Sequence, residues 1–147
     1  MSEQEIVHAT LITIDGNGVL IKGESRSGKS DLALRMILSY GAKLVADDAV
    51  RISKINDTIV GAAPENIAGL LEVYGVGIVK MEYVNETPLS LVVNLVNNPT
   101  QIERMPKKLF ENIFGVEIMQ IDLYAKENSA PEKVLMKLKG CLLNVDE

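Results

Sequence analysis

The sequence has no tryptophan, only two phenylalanines, one cysteine and one histidine. A single cysteine, Cys141, cannot close a disulfide within the chain. One histidine with one cysteine also falls short of a Cys/His zinc site. The opening residues, Met1-Ser2-Glu3-Gln4-Glu5, carry no basic region followed by an apolar stretch, so they do not read as a secretory signal. No apolar run approaches the roughly 18 residues needed to span a bilayer. The longest, Leu89 to Val96, has the length of a strand and contains Asn94. Basic excess is missing too. A formal net charge of −5 argues against non-specific nucleic-acid binding. It says little about a polyanionic nucleotide, because local loop geometry binds phosphate even in an acidic protein. These absences lead us to expect a cytoplasmic protein with neither nucleic acid nor membrane as a partner.

What remains is ordinary globular material. At 147 residues, 47% hydrophobic and 24% charged, the chain suits a single domain over 1–147, without internal repeats or low-complexity segments. Ile6 to Ile14 reads as a strand. Asp15-Gly16-Asn17-Gly18 turns it into a second strand, Val19 to Lys22. After a glycine-bounded loop, apolar residues at Leu32, Leu34, Met36, Ile37 and Leu38 predict a helix over Lys29 to Tyr40, stopped by Gly41. Strands are expected at Lys43 to Ala46, Val50 to Ile55, Thr58 to Val60, Ile78 to Val84, Leu89 to Val96 and Val116 to Leu123. Helices are expected at Ile67 to Leu71, after a start at Ala63 to Asn66, at Lys107 to Phe114, and at Pro131 to Leu143. Asn85 to Pro88 reads as a turn, and Asn97 to Met105 as a polar irregular stretch. The sum is a strand-rich α/β domain with few helices.

Gly23-Glu24-Ser25-Arg26-Ser27-Gly28-Lys29-Ser30 matches the Walker A pattern G-x-x-x-x-G-K-[ST]. Its glycines let the backbone curl so that N–H groups face a phosphate, and the helix that follows offers its positive end to the same anion. Lys29 is suited to reach the β- and γ-phosphates, and Ser30 to place a hydroxyl on magnesium. The motif follows a predicted strand and opens a predicted helix, the context that separates it from a plain glycine turn. Beyond it, Asp47-Asp48 ends an apolar strand, where a second metal contact is expected beside a phosphate loop. Neighbours on a strand face opposite sides, so one carboxylate can face nucleotide and magnesium while the other faces a hydroxyl to be deprotonated. A solvated acidic turn is the competing reading, and His8 taken alone reads as a structural histidine as readily as a catalytic one.

The order of these features is more specific than any one of them. A strand with His8, the glycine loop, Leu44-Val45-Ala46-Asp47-Asp48 and Leu70-Leu71-Glu72-Val73-Tyr74-Gly75-Val76-Gly77-Ile78 follow one another. This order resembles the catalytic domain of HPr kinase/phosphorylase, the bifunctional enzyme of bacterial phosphotransferase regulation. The resemblance runs from about Val7 to the C-terminus. It is nearest to the short alphaproteobacterial forms without the family's N-terminal domain, since this chain too begins just ahead of the histidine strand. It implies a single P-loop α/β domain with a mostly β mixed sheet, related to phosphoenolpyruvate carboxykinase. The absence of H-R-D and D-F-G motifs agrees with that.

Residue by residue, the resemblance implies that Gly23 to Ser30 hold ATP and that Ser30 and Glu72 bind Mg2+, with Asp48 beside them. It makes Asp47 the base for the target serine and the acid in the reverse reaction. His8 would sit beside Asp47, and Arg104 would act from a mobile loop. The implied reaction is phosphorylation of a serine of HPr or an HPr-like phosphocarrier, with phosphorolysis as its reverse. The departure is Tyr74, where the family usually has arginine; a phenol supplies no fixed positive charge. Arg26, where a small residue is common, is the candidate replacement. Two other readings stay open, a small-molecule kinase on the same scaffold and a nucleotide-binding regulatory module without catalysis. The sequence also leaves nucleotide preference and homo-oligomer formation open.

Overall fold

The computed structural model describes residues 3–64 and 67–140. Strands β1 (Gln4–Val7), β2 (Thr10–Ile14) and β3 (Asn17–Lys22) lead into helix α1 (Lys29–Tyr40). Next come β4 (Lys43–Ala46), β5 (Val50–Ile55), β6 (Thr58–Ala62), β7 (Leu70–Val73), β8 (Gly77–Lys80) and β9 (Glu86–Leu95). After a short 3-10 turn at Pro99–Gln101 follow β10 (Leu109–Ile113), β11 (Val116–Leu123) and helix α2 (Ala130–Leu138). Most strands join one nine-stranded mixed sheet, while β7 and β8 form a separate hairpin. No helix among the described residues is long and apolar enough to cross a membrane.

Strand β9 is the hub. It runs parallel to β3 on one side and to β11 on the other, and its first residues pair antiparallel with β6. Its register with β3 skips Ser90, so Gly18 faces Leu89 and Val19 faces Leu91. That extra residue changes which way the following side chains point. Leu91, Val93 and Leu95 pack with Ile12, Val19 and Ile21 beneath Leu32, Met36 and Val134 of the two helices. Leu89 and Val92 face the opposite core with Leu11, Leu20, Val45, Ile52 and Ile59. Both faces of the central strands are therefore buried, which explains why they read as continuous apolar runs rather than alternating ones.

Helix α1 occupies the expected residues, and Gly41 closes it in the left-handed region at φ 77°. Several expectations need correction. The first strand is interrupted at His8-Ala9. Ile67 to Leu71 is no helix: Leu70–Val73 is extended and pairs with Gly77–Lys80, ending β8 well short of Val84. Of the expected helix start, Glu65 and Asn66 lie outside the described residues. Lys107 to Phe114 is not helical either, because Phe114 and Gly115, both at positive φ, make a tight hairpin of β10 and β11. Of the residues read as a turn at 85–88, Asn85 is a bend while Glu86 to Pro88 begin β9, with Pro88 set opposite Val60. The last helix covers Ala130–Leu138, and residues 141–143 of the expected span lie outside the described ones.

Candidate active site

The loop between β3 and α1 has the shape its glycines permit. Arg26 and Gly28 both take left-handed φ, 66° and 101°, and the Ser27 N–H donates to the Glu24 carbonyl at 3.1 Å, so the loop folds back on itself as a tight turn. A side chain at Gly23 would collide with Ser27 Oγ at 2.5 Å. Lys29, the first residue of α1, is buried and donates from Nζ to the carbonyls of Gly23 and Glu24, each at 2.9 Å. The lysine thus braces the loop from inside. Glu24 in turn accepts from Asn97 Nδ2 at 2.9 Å, which ties the loop to the end of β9.

The two aspartates separate sharply. Asp47 is 8% exposed, and its Oδ1 accepts hydrogen bonds from Ser30 Oγ and Thr10 Oγ1, both at 2.8 Å. Its Oδ2 accepts from the Glu72 backbone N–H at 3.2 Å. Asp48, at a left-handed φ of 72°, swings to the rim, where Oδ1 lies 2.7 Å from His8 Nε2. The expected neighbours therefore change places. His8 partners Asp48 rather than Asp47, and Asp47 rather than Asp48 is the carboxylate against Ser30. The cause is the left-handed turn at Asp48, which takes the second carboxylate out of the strand geometry.

His8, Lys29, Ser30, Asp47, Asp48 and Glu72 line one cleft of about 620 Å³. Ser25, Arg26 and Gly28 of the loop also face it, as does Tyr74, whose side chain is 99% exposed. Arg104 does not: it lies exposed on the stretch after the 3-10 turn, outside the cleft lining. The sequence reading missed two residues. Thr10 is fully buried and holds Asp47, and a polar residue between Ala9 and Leu11 in an otherwise apolar strand was its signal. Lys126 also lines the cleft, from the connection between β11 and α2, and nothing local in the sequence marks it.

The same architecture occurs elsewhere. The Hpr(Ser) kinase/phosphatase from Coxiella burnetii superposes with a TM-score of 0.81 at 27% identity, over 93% of this chain and 95% of that one. The HPr kinase/phosphorylase of Lactobacillus delbrueckii subsp. bulgaricus is 32% identical over 92% of this chain and 46% of its own length. That of an Acidovorax species is 38% identical over 82% of this chain and 41% of its own length. The chain thus spans less than half the length of these curated relatives. A family model described as the HPr Serine kinase C-terminal domain matches residues 1–136. The chain belongs to the HPr serine kinase C-terminal domain family.

Proposed function

We propose that this protein is an ATP-dependent serine kinase acting on HPr or an HPr-like phosphocarrier, with phosphorolysis of the phosphoserine as its reverse. One observation carries the reading: the Walker A lysine and serine, a buried carboxylate and a His–Asp pair converge on a single cleft in a chain of this family. The loop amides and Lys29 hold the β- and γ-phosphates. Magnesium fits the donor set, because Ser30 Oγ and the Glu72 carboxylate are hard oxygen ligands. Glu72 also lines the cleft, and its carboxylate has no hydrogen-bond partner among the described residues. Bound there, magnesium would neutralise charge on the phosphate oxygens.

Asp47 is the base. Its Oδ2 holds one long hydrogen bond and keeps a lone pair for the serine proton as the serine oxygen attacks the γ-phosphorus and the bond to ADP breaks. Asp48 fixes the ring of His8 at the rim, where a protein substrate enters. One observation favours the rival of a nucleotide-binding module without transfer. Among the described residues Arg26 is the one arginine lining the cleft, since Tyr74 and the distant Arg104 supply none. Incubation with labelled ATP, magnesium and HPr from the same organism, followed by mapping of the label, decides between them. Label on an HPr serine is expected. Bound ATP with unlabelled HPr would establish the rival.

A further inference from the structure

Three cations line the cleft, Arg26, Lys29 and Lys126. Lys29 is engaged with the loop carbonyls. Neither Arg26 nor Lys126 has a hydrogen-bond or ion-pair partner among the described residues. Lys126 is nonetheless not a loose surface lysine. Its turn sits directly on the phosphate loop: Ala125 is buried, and a Cβ on Gly28 would lie 2.9 Å from the Ala125 Cβ. Arg35, on the helix that Lys29 begins, donates to the carbonyls of Ala125 and Glu127, the residues on either side of Lys126. Glu127 also pairs with Lys133 of α2. The backbone of Lys126 is thereby fixed to the same helix that positions Lys29 and Ser30, while Lys126 lines the cleft with its ammonium group unpartnered among the described residues.

We propose that Lys126 is a phosphate-binding residue of this cleft, contacting the polyphosphate of the bound nucleoside triphosphate from beside the glycine loop. The physical case is charge balance. Asp31, Asp47, Asp48 and Glu72 also line the cleft, and a triphosphate entering among carboxylates needs more than one cation to offset them. A lysine fixed in backbone yet unpaired in side chain loses no existing ion pair when it turns to phosphate. Tyr74 supplies no charge from the β7–β8 hairpin, and Lys126 supplies one from the connection after β11.

This inference rests on the nucleotide reading, and calorimetric titration of the full chain separates the two. Wild type, Lys126→Ala and Lys126→Arg are titrated with MgATP and with inorganic phosphate, and melted without nucleotide. Loss of one partly exposed charge contact should weaken MgATP binding by about fivefold in Lys126→Ala. Lys126→Arg should restore most of it, and all three proteins should melt together. Wild-type MgATP affinity in Lys126→Ala would overturn the proposal. So would equal weakness in Lys126→Arg, a lowered melting temperature, or an effect on inorganic phosphate alone. A wild-type protein that binds no MgATP would remove the nucleotide reading itself, and this inference with it.

Discussion

Asp47 and Asp48 are adjacent in the chain and opposite in surroundings, one buried against Ser30 and Thr10, the other out at the rim with His8. An Asn has nearly the shape of an Asp but accepts no proton. Asp47→Asn should therefore keep MgATP binding and lose phosphorylation of the protein substrate by roughly a hundredfold or more. Asp48→Asn should act only through the orientation of His8 and lose less. If Asp47→Asn turns over at the wild-type rate while Asp48→Asn is inactive, the base is the other carboxylate. Tyr74 makes a second test at this scale. Its side chain is 99% exposed at the cleft edge, so it does not pack in the core, and an arginine there would bury no charge. In the forward reaction phosphate arrives tethered on ATP, whereas in phosphorolysis it must bind unaided. Tyr74→Arg should thus raise the reverse rate more than the forward rate and leave the melting temperature unchanged. Strong phosphorolysis by the unmodified protein would contradict this.

At the scale of elements, the crossing of β3 and β9 depends on one missing side chain. A Cβ at Gly18 would stand 2.4 Å from the Pro88 carbonyl oxygen and 2.7 Å from Thr87 Cγ2. Backbone cannot move aside as a flexible side chain can. Gly18→Ala should therefore destabilise by about 2 kcal/mol, visible as a lower denaturant midpoint. A wild-type midpoint would mean that β9 can shift at Pro88. The stretch after the 3-10 turn behaves differently. Arg104 is exposed there and makes no hydrogen bond within the described residues. Because Arg104 lies outside the cleft, Arg104→Ala should leave both the melting temperature and the transfer rate nearly unchanged. A drop in stability with normal activity of the folded fraction would assign it a structural role. Elements whose signals were local agreed with the sequence: α1 lies between its glycines, and β4 and β11 keep their expected bounds. Elements whose state is set by an adjoining turn rather than by their own pattern did not. Leu70–Val73 and Leu109–Ile113 are short apolar runs that helix and strand patterns share. Each becomes a strand because a positive-φ turn brings it onto β8 or β11.

For the whole molecule, a nucleotide bound in the cleft should couple to stability, since the walls come from α1, the end of β4, β7 and the connection after β11. A ligand at about a hundred times its Kd adds about 2.7 kcal/mol to the folded state. For a domain of this size that is a rise of roughly 5–10 °C in melting temperature. Wild type should show such a rise with MgATP. Lys29→Ala should show little of it, and should also lose transfer, because the point charge on the β- and γ-phosphates is gone. An equal rise in the mutant, with equal turnover, would remove the Walker A assignment.

Some of this was legible from residues alone. Gly23 to Ser30 is legible as a Walker A match because glycine freedom, a lysine and a hydroxyl at fixed spacing are all local requirements. The order of His8, the loop, Asp47-Asp48 and Glu72 was likewise visible, and with it the family. The tertiary structure alone decided which aspartate meets Ser30, that His8 pairs with Asp48, and that Tyr74 stands in solvent. It alone placed Lys126 in the cleft, 97 positions beyond Lys29 in the numbering. The reason is common to all four. Side-chain direction beside a positive-φ residue, and proximity across a mixed sheet, depend on where other strands lie, and periodicity along one segment carries no record of that.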